Sequence, residues 1–270
     1  MCIRDRSSIA AHKISDVEVG SFLSSGVDSS YVTSVLKPDH SFSIGFDDKT
    51  YNEAIEARKL TERLDLDNTA AVIDGDMSFK AFPLIQYHLD EPDSNPSCVP
   101  LYFLANLASQ SVRVVQSGEG ADELFAGYQT YGFHTNSKFI RVIAQGLKKL
   151  PKGTRYNLGR KIGKMKNFHG RIHLYESLAP AKEYFIGHAR VFEEAEAADI
   201  LTDDFQQAPT VKDIMAAHYA NTDKIADEVN KMQYVDLHQW MPKDILLKAD
   251  KLSMASSLAV SYTHLTLPTI

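Results

Sequence analysis

The sequence holds little cysteine: Cys2 and Cys98 are the only two in 270 residues. That is too few for a disulfide framework, and a reducing cytoplasm is the expected compartment. No run of about 18 apolar residues occurs, so no membrane-spanning segment is expected. The first residues contain no apolar leader stretch, so no secretory signal is expected. Internal repeats and low-complexity linkers are absent. Basic residues do not dominate: 29 Lys and Arg stand against 35 Asp and Glu, a net charge of -6. A nucleic-acid partner would therefore need a local basic patch. The remainder is ordinary globular material, 44% apolar and 24% charged. It excludes a disordered or collagen-like chain and suits one or two domains at roughly 150 residues each.

The two ends share an origin in DNA. The string ATG TGT ATA AGA GAC AG encodes Met1 to Asp5 and opens the codon of Arg6. Its reverse complement, in the third frame, encodes Val260 to His264. This inverted repeat resembles a transposase adapter, whose continuation would also encode Leu265 to Thr269. Residues 1–6 and 260–270 are therefore expected to be adapter-derived scars. On that expectation the native protein continues past both ends and Cys2 is not native.

Between them, short apolar strands alternate with helical stretches. Strands are predicted over Val17–Leu23, Ser41–Phe46, Thr69–Ile73 and Val112–Gln116. Helices are predicted over Tyr31–Leu36, Asn52–Leu64, Met77–Leu89 despite Pro83, and Leu101–Ser109. In the second helix Ala54, Ile55, Leu60 and Leu64 would share a face, with Asn52 or Thr50 as N-cap. The alternation predicts an α/β fold: a parallel sheet with helices on both faces over residues 7–130. A mostly helical extension is expected over 131–259, with helices across Phe139–Leu150, Leu174–Ala189, Val211–Val229 and Met232–Leu258. Lys138 to Lys166 holds ten Lys or Arg and no acid. Without interleaved stacking aromatics it reads as a solvated cationic surface, and no nucleic acid is expected to bind.

Two turns carry chemistry, because ligands of parallel sheets bind at the carboxyl ends of strands. Ser24-Ser25-Gly26-Val27-Asp28-Ser29-Ser30 follows a strand and opens a helix. Small residues let backbone amides approach an anion, the serines add donors, and the helix dipole favours negative charge. The Gly-Lys-Ser/Thr of a Walker-type loop is missing, which points away from γ-phosphoryl transfer. Taken alone, the loop fits an anion cradle or an ordinary serine-rich helix cap equally well. The second turn runs Val114-Val115-Gln116-Ser117-Gly118-Glu119-Gly120-Ala121-Asp122-Glu123-Leu124-Phe125. Its acids are three and four apart and would share one side of a helix. They suit a hard cation such as Mg²⁺.

The first loop resembles the Ser-Gly-Gly-x-Asp-Ser signature of the PP-loop ATP pyrophosphatases, with Ser25 in place of a glycine. A positive φ at that position would strain a serine. Together with the second turn it resembles the asparagine synthetase family, whose pattern is Ser-Gly-Glu-Gly-x-Asp-Glu-Leu/Val-Phe-Gly-Gly-Tyr. Here Ala126 replaces one glycine and Tyr128 is kept. The likeness extends over Ile14–Val17, Ser41–Tyr51, Asp90-Glu91-Pro92 and Met232–Leu258, including Asp244 to Met254.

That resemblance implies a PP-loop fold and a ligase that binds ATP, Mg²⁺ and aspartate. The reaction would pass through β-aspartyl-AMP and end with attack by ammonia, releasing asparagine and AMP. It implies that Ser24, Gly26, Asp28 and Ser29 hold pyrophosphate and metal, and that Leu23 and Ile44 border the adenosine. Ser117 and Gly118 would contact the nucleotide. Glu119 would support formation and breakdown of the adenylate, and Asp28 and Asp122 would be the metal ligands. Ammonia would come from glutamine through a glutaminase domain outside this chain, and a family lysine would lie beyond Leu258. A homodimer is allowed. Alternatives are another amide-forming PP-loop enzyme of the β-lactam synthetase kind, or a nucleotide-binding piece without activity.

Weaker candidates remain. His169 and His173, four apart, lack a third metal ligand. Cys98, in the proline-rich loop 91–100, reads as a packed thiol. That loop is a candidate lining for the aspartate pocket. Lys248 and Asp250 read as site residues or as a helix-surface pair.

Overall fold

A computed structural model describes residues 2–48, 52–131, 138–166, 170–188, 199–205 and 207–262. The chain divides into two compact units, residues Met1–Ala121 with Pro242–Ile270, and Asp122–Met241. Helix α1 (Cys2–His12) opens the first unit. There follow β1 (Val19–Phe22), α2 (Val27–Leu36), β2 (His40–Phe46), α3 (Glu53–Leu64), β3 (Asp67–Ile73), α4 (Gly75–Leu89), α5 (Cys98–Ser109) and β4 (Val114–Ser117). Helix α6 (Ala121–Phe125) leads into the second unit. That unit contains α7 (Lys138–Leu147), α8 (Lys152–Gly163), α9 (Arg171–Leu178), α10 (Val211–Ala220) and α11 (Glu228–His238). After a π-turn at Met241–Ile245 the chain returns to the first unit with α12 (Leu246–Met254) and β5 (Ala259–Tyr262).

The sheet order is β3-β2-β1-β4-β5, and every pair is parallel. Helices cover both faces, as the alternation predicts. Phe22, Phe42, Ala105, Ala108, Val112, Val115 and Leu258 form one core, built with α5. Ile9, Val19, Val32 and Leu36 form another, built with α1 and α2. Phe42 is fully buried, and burial of such a side chain contributes about 1.5–3 kcal/mol. The buried strands also carry hydroxyls, and each finds a partner. Ser21 Oγ lies 2.8 Å from Thr33 Oγ1, and Ser43 Oγ donates to the Leu23 carbonyl at 2.8 Å.

Helix α3 forms where predicted but buries a different face. Ala54, Ala57 and Thr61 are inside, and Ile55 is exposed. Small side chains at this spacing let the helix lie close to the sheet. Asn52 is the N-cap residue without a side-chain cap bond, and Thr50 lies outside the described residues. Asp74 caps α4 through Met77 N–H at 2.7 Å, and the helix continues past Pro83.

The second unit is helical, but its helices are shorter than the apolar pattern predicts. The expected helix over Leu174–Ala189 stops after Leu178. Ala179 is extended (ψ 156) because Pro180 disfavours the helical conformation of its neighbour. The expected Val211–Val229 helix is two helices. Asp227 caps the second by accepting from Val229 N–H and Asn230 N–H at 2.9 and 3.1 Å. Met232–Leu258 is likewise interrupted, at the π-turn that contains Pro242. The core of this unit is Tyr131, Ala181, Phe185, Met215, Tyr219, Met232 and Val235. Among the described residues no helix is long and apolar enough to cross a membrane.

Candidate functional site

Strand order selects one crevice. The chain leaves β1 toward β2 on one side, whereas β4 lies on the other. In an open parallel sheet that reversal leaves a gap outside the carboxyl ends of the two strands, where ligands bind. Ser21 is level with Gln116. The segments after Phe22 and after Gln116 therefore emerge side by side, and these are the two turns singled out by composition.

The first turn is held by its own hydroxyls. Ser24 N–H donates to Ser29 Oγ at 3.1 Å, and the two hydroxyl oxygens are 2.8 Å apart. Gly26 N–H donates to Ser24 Oγ at 3.1 Å. Gly26 is extended (φ -68, ψ 152), and α2 starts at the next residue, with Asp28 in its first turn. Ser25 does not adopt a positive φ, so serine fits at the position where the related signature has glycine. Its N–H lies 3.4 Å from Glu53 Oε2, a partner the sequence did not suggest. Leu23 is buried, with its N–H donating to the Phe42 carbonyl at 2.9 Å. Its backbone is thus tied into the sheet. Ile44 is half-buried on β2, level with Ala71.

The second turn leans on the first. A Cβ placed on Gly118 would meet Ser29 N at 2.9 Å and the Asp28 carbonyl carbon at 3.0 Å. Only a glycine lets the two backbones approach this closely. Ser117 is buried and accepts from Glu119 N–H at 3.3 Å. Glu119 is half-buried in the turn before α6. It is therefore not on a helix with Asp122 and Glu123, contrary to the expectation that all three share one side. Gly120 takes φ 87, which reverses the chain between Glu119 and α6.

Asp122 and Glu123 belong to the second unit. Asp122 is half-buried, and Gly127 packs against its carboxylate so closely that any Cβ would collide with it. Glu123 is fully buried and accepts from Tyr128 Oη at 2.7 Å. Burial pushes its pKa above the usual carboxylate range. Of the clustered acids, Glu123 is thus committed to the interior. Among the described residues no group of three or more His, Cys, Asp and Glu forms a metal cluster. A protein that binds Mg²⁺ through one or two carboxylates plus substrate phosphate needs no such cluster.

The weaker candidates resolve differently. His169 lies outside the described residues, and His173 is on α9. Cys98 is buried and donates to Asp93 Oδ2 at 3.5 Å; burial, then Asp93, pushes its thiol up to about 12. The loop 91–100 is tied down, with Asn95 Nδ2 donating to Asp244 Oδ1 at 2.7 Å. Lys248 is almost fully buried and lies 3.3 Å from that same carboxylate oxygen, whereas Asp250 is exposed. The two do not form a helix-surface pair. The Asn95–Asp244 link joins residues 149 apart in sequence and has no sequence signal.

The chain matches the family model described as asparagine synthase over residues 6–263. It is similar to "Asparagine synthetase [glutamine-hydrolyzing] 1" of Bacillus subtilis, 37% identical over 263 residues, covering 93% of this chain and 39% of that protein. It is also similar to a "Putative asparagine synthetase [glutamine-hydrolyzing]" of Mycobacterium tuberculosis strain H37Rv, 35% identical over 257 residues, covering 93% of this chain and 38% of that protein. Asparagine synthetase B of Escherichia coli K12 is 26% identical over 152 residues, covering 48% of this chain and 27% of that protein. The chain thus spans about two fifths of the length of the curated relatives that match nearly all of it.

Proposed function

The chain belongs to the asparagine synthase family, and from that premise we propose that it carries ATP-dependent synthesis of asparagine from aspartate. Ammonia comes from glutamine through a glutaminase domain outside this chain, and the setting is cytoplasmic. The observation that carries the reading is the close approach of the two turns at the sheet's crevice, where a Cβ on Gly118 would lie 2.9 Å from Ser29 N.

In this reading the side-chain carboxylate of aspartate attacks the α-phosphorus of ATP. The bond from that phosphorus to the bridging oxygen breaks, and pyrophosphate leaves. The hydroxyls of Ser24 and Ser29, Gly26 and the N-terminus of α2 hold the leaving pyrophosphate through donors already oriented before it forms. Leu23 and Ile44 border the adenosine, and Ser117 and Gly118 contact the nucleotide. Ammonia then attacks the acyl carbon of β-aspartyl-AMP, and AMP leaves. Glu119 takes the proton that the attacking nitrogen must lose. Asp28 and Asp122 are the proposed metal carboxylates, each at the first turn of its helix. Mg²⁺ bound there supplies neutralisation of phosphate charge. No lysine is needed within the loop, because the γ-phosphoryl group is not transferred.

The test is aspartate-dependent release of AMP and pyrophosphate by the full-length protein. Glu119→Gln is expected to keep ATP binding and lose asparagine formation. Undiminished turnover in that variant would refute the role of Glu119. Pyrophosphate release that ignores aspartate but responds to another carboxylate would favour an enzyme of the β-lactam synthetase kind.

A further inference from the structure

Helix α6 is five residues long, and its last carbonyls need donors. Gly127 N–H donates to the Asp122 carbonyl at 2.9 Å, through Ala126 in the left-handed conformation (φ 57). This is the six-to-one bond of a Schellman-type end. The next two carbonyls have an unusual donor. Gln233 Nε2 lies 2.8 Å from the Glu123 carbonyl oxygen and 2.9 Å from that of Leu124. One amide nitrogen has two hydrogens, and here each has its own acceptor. Gln233 is on α11, flanked by Met232 and Val235, which are packed into the core of the same unit. Its amide is therefore delivered from a fixed element. The side chain of Glu123 is held from a second side by Tyr128, and the carboxylate of Asp122 lies against Gly127.

We propose that Gln233 is a positioning residue: by donating from one amide to the Glu123 and Leu124 carbonyls it clamps the end of α6 and so sets the Asp122 carboxylate for a divalent cation. The proposal rests on the reading of Asp122 as a metal carboxylate. An amide suits the task because both acceptors are neutral carbonyls. A carboxylate at 233 would oppose acceptor to acceptor, and an apolar side chain would leave both oxygens without this donor.

The experiment uses the full-length protein with Gln233→Met, of similar volume without a donor, and Gln233→Glu, nearly isosteric and acceptor-only when ionised. Mn²⁺ binding in the presence of ATP is followed by electron paramagnetic resonance, beside the Mg²⁺ dependence of pyrophosphate release. Partners that orient metal ligands affect metal affinity by roughly 10-fold to 100-fold. Both half-saturation points are expected to rise by at least about tenfold, with the KM for aspartate little changed. A residue that only stabilised the second unit would lower the melting temperature and leave both metal curves in place. That result in either folded variant, or failure of both variants to fold, overturns the proposal. Wild-type protein that releases no pyrophosphate with aspartate, while both variants still bind Mn²⁺ more weakly, would sink the assigned activity and keep the clamp.

Discussion

Replacing Gly118 with alanine tests the contact on which the functional reading depends. The added methyl would lie 2.9 Å from Ser29 N, 3.0 Å from the Asp28 carbonyl carbon and 3.2 Å from Asp28 Cβ. Two of these atoms are backbone in the first turn of α2 and cannot rotate away. Comfortable carbon contacts are about 3.5–4.0 Å, so one turn must move by roughly 0.5 Å. Overpacking of this kind costs about 1–3 kcal/mol. At about 2–4 °C per kcal/mol for a chain of this size, the melting temperature should fall by roughly 2–12 °C. The effect on chemistry should be larger than the effect on folding. A 1 Å misplacement can cost about 100-fold in rate, so half that displacement predicts a loss of roughly tenfold in pyrophosphate release. Thermal melting, nucleotide titration and pyrophosphate release on the full-length protein measure all three. A Gly118→Ala variant that melts, binds ATP and turns over like the parent would refute the contact between the turns.

Gly146→Ala and Gly153→Ala make the opposite case. An added methyl at either helical position meets nothing within 4 Å, so each should stabilise the protein by a few tenths up to about 1 kcal/mol, read as a raised urea midpoint. Cys98, buried with its thiol pushed up to about 12, should resist disulfide exchange reagents at pH 8 in the folded protein and react fully in denaturant. Fast labelling without denaturant would refute its burial. Glu123 has a folded pKa raised by burial, so the folded state binds more protons between its unfolded and folded pKa values. Stability therefore falls as pH rises through that window and stays lowered above it. Glu123→Gln keeps an oxygen to accept from Tyr128 and should flatten this fall, raising stability at pH 8 relative to the parent. Denaturation midpoints across pH measure it, and an unchanged slope would show that the carboxyl does not titrate in the window.

From β1 to β4 the fold was legible because its elements are locally bounded, whereas α1 was not anticipated. Ser41–Phe46 alternates, and Lys37-Pro38 stops α2. Both candidate turns were legible for the same reason: strand, small residues and helix start are contiguous in sequence. The second half was less so. Its apolar spacing runs on through Pro180 and Asp227, and only the dihedral bias before proline and the capping carboxylate break the helices there. The inner face of α3 was misjudged because Ala57 and Thr61, not Ile55, meet the core. Links such as Gln233 to α6 or Asn95 to Asp244 were beyond reach, since neither glutamine nor asparagine signals its partner across more than 100 residues. Residues 260–262, assigned from the DNA repeat to a scar, are paired with β4, which any extended segment with free backbone groups could do at a sheet edge.

The first unit is interrupted: its chain departs after Ala121 and resumes at Pro242. Two of its cores depend on the later piece, through Leu252 beside Ile85 and Leu89 and through Leu258 beside Phe42. During synthesis these two sockets stay unfilled until the intervening residues 122–241 have been made. The earlier strands and helices meanwhile expose apolar surface, a condition that favours chaperone capture and slows folding. Conversely, a protease that nicks a loop within 122–241 divides the first unit's backbone without removing any of its elements. The two pieces should then stay together through α12 packed on α4 and α5, separating on a denaturing gel but not on a sizing column.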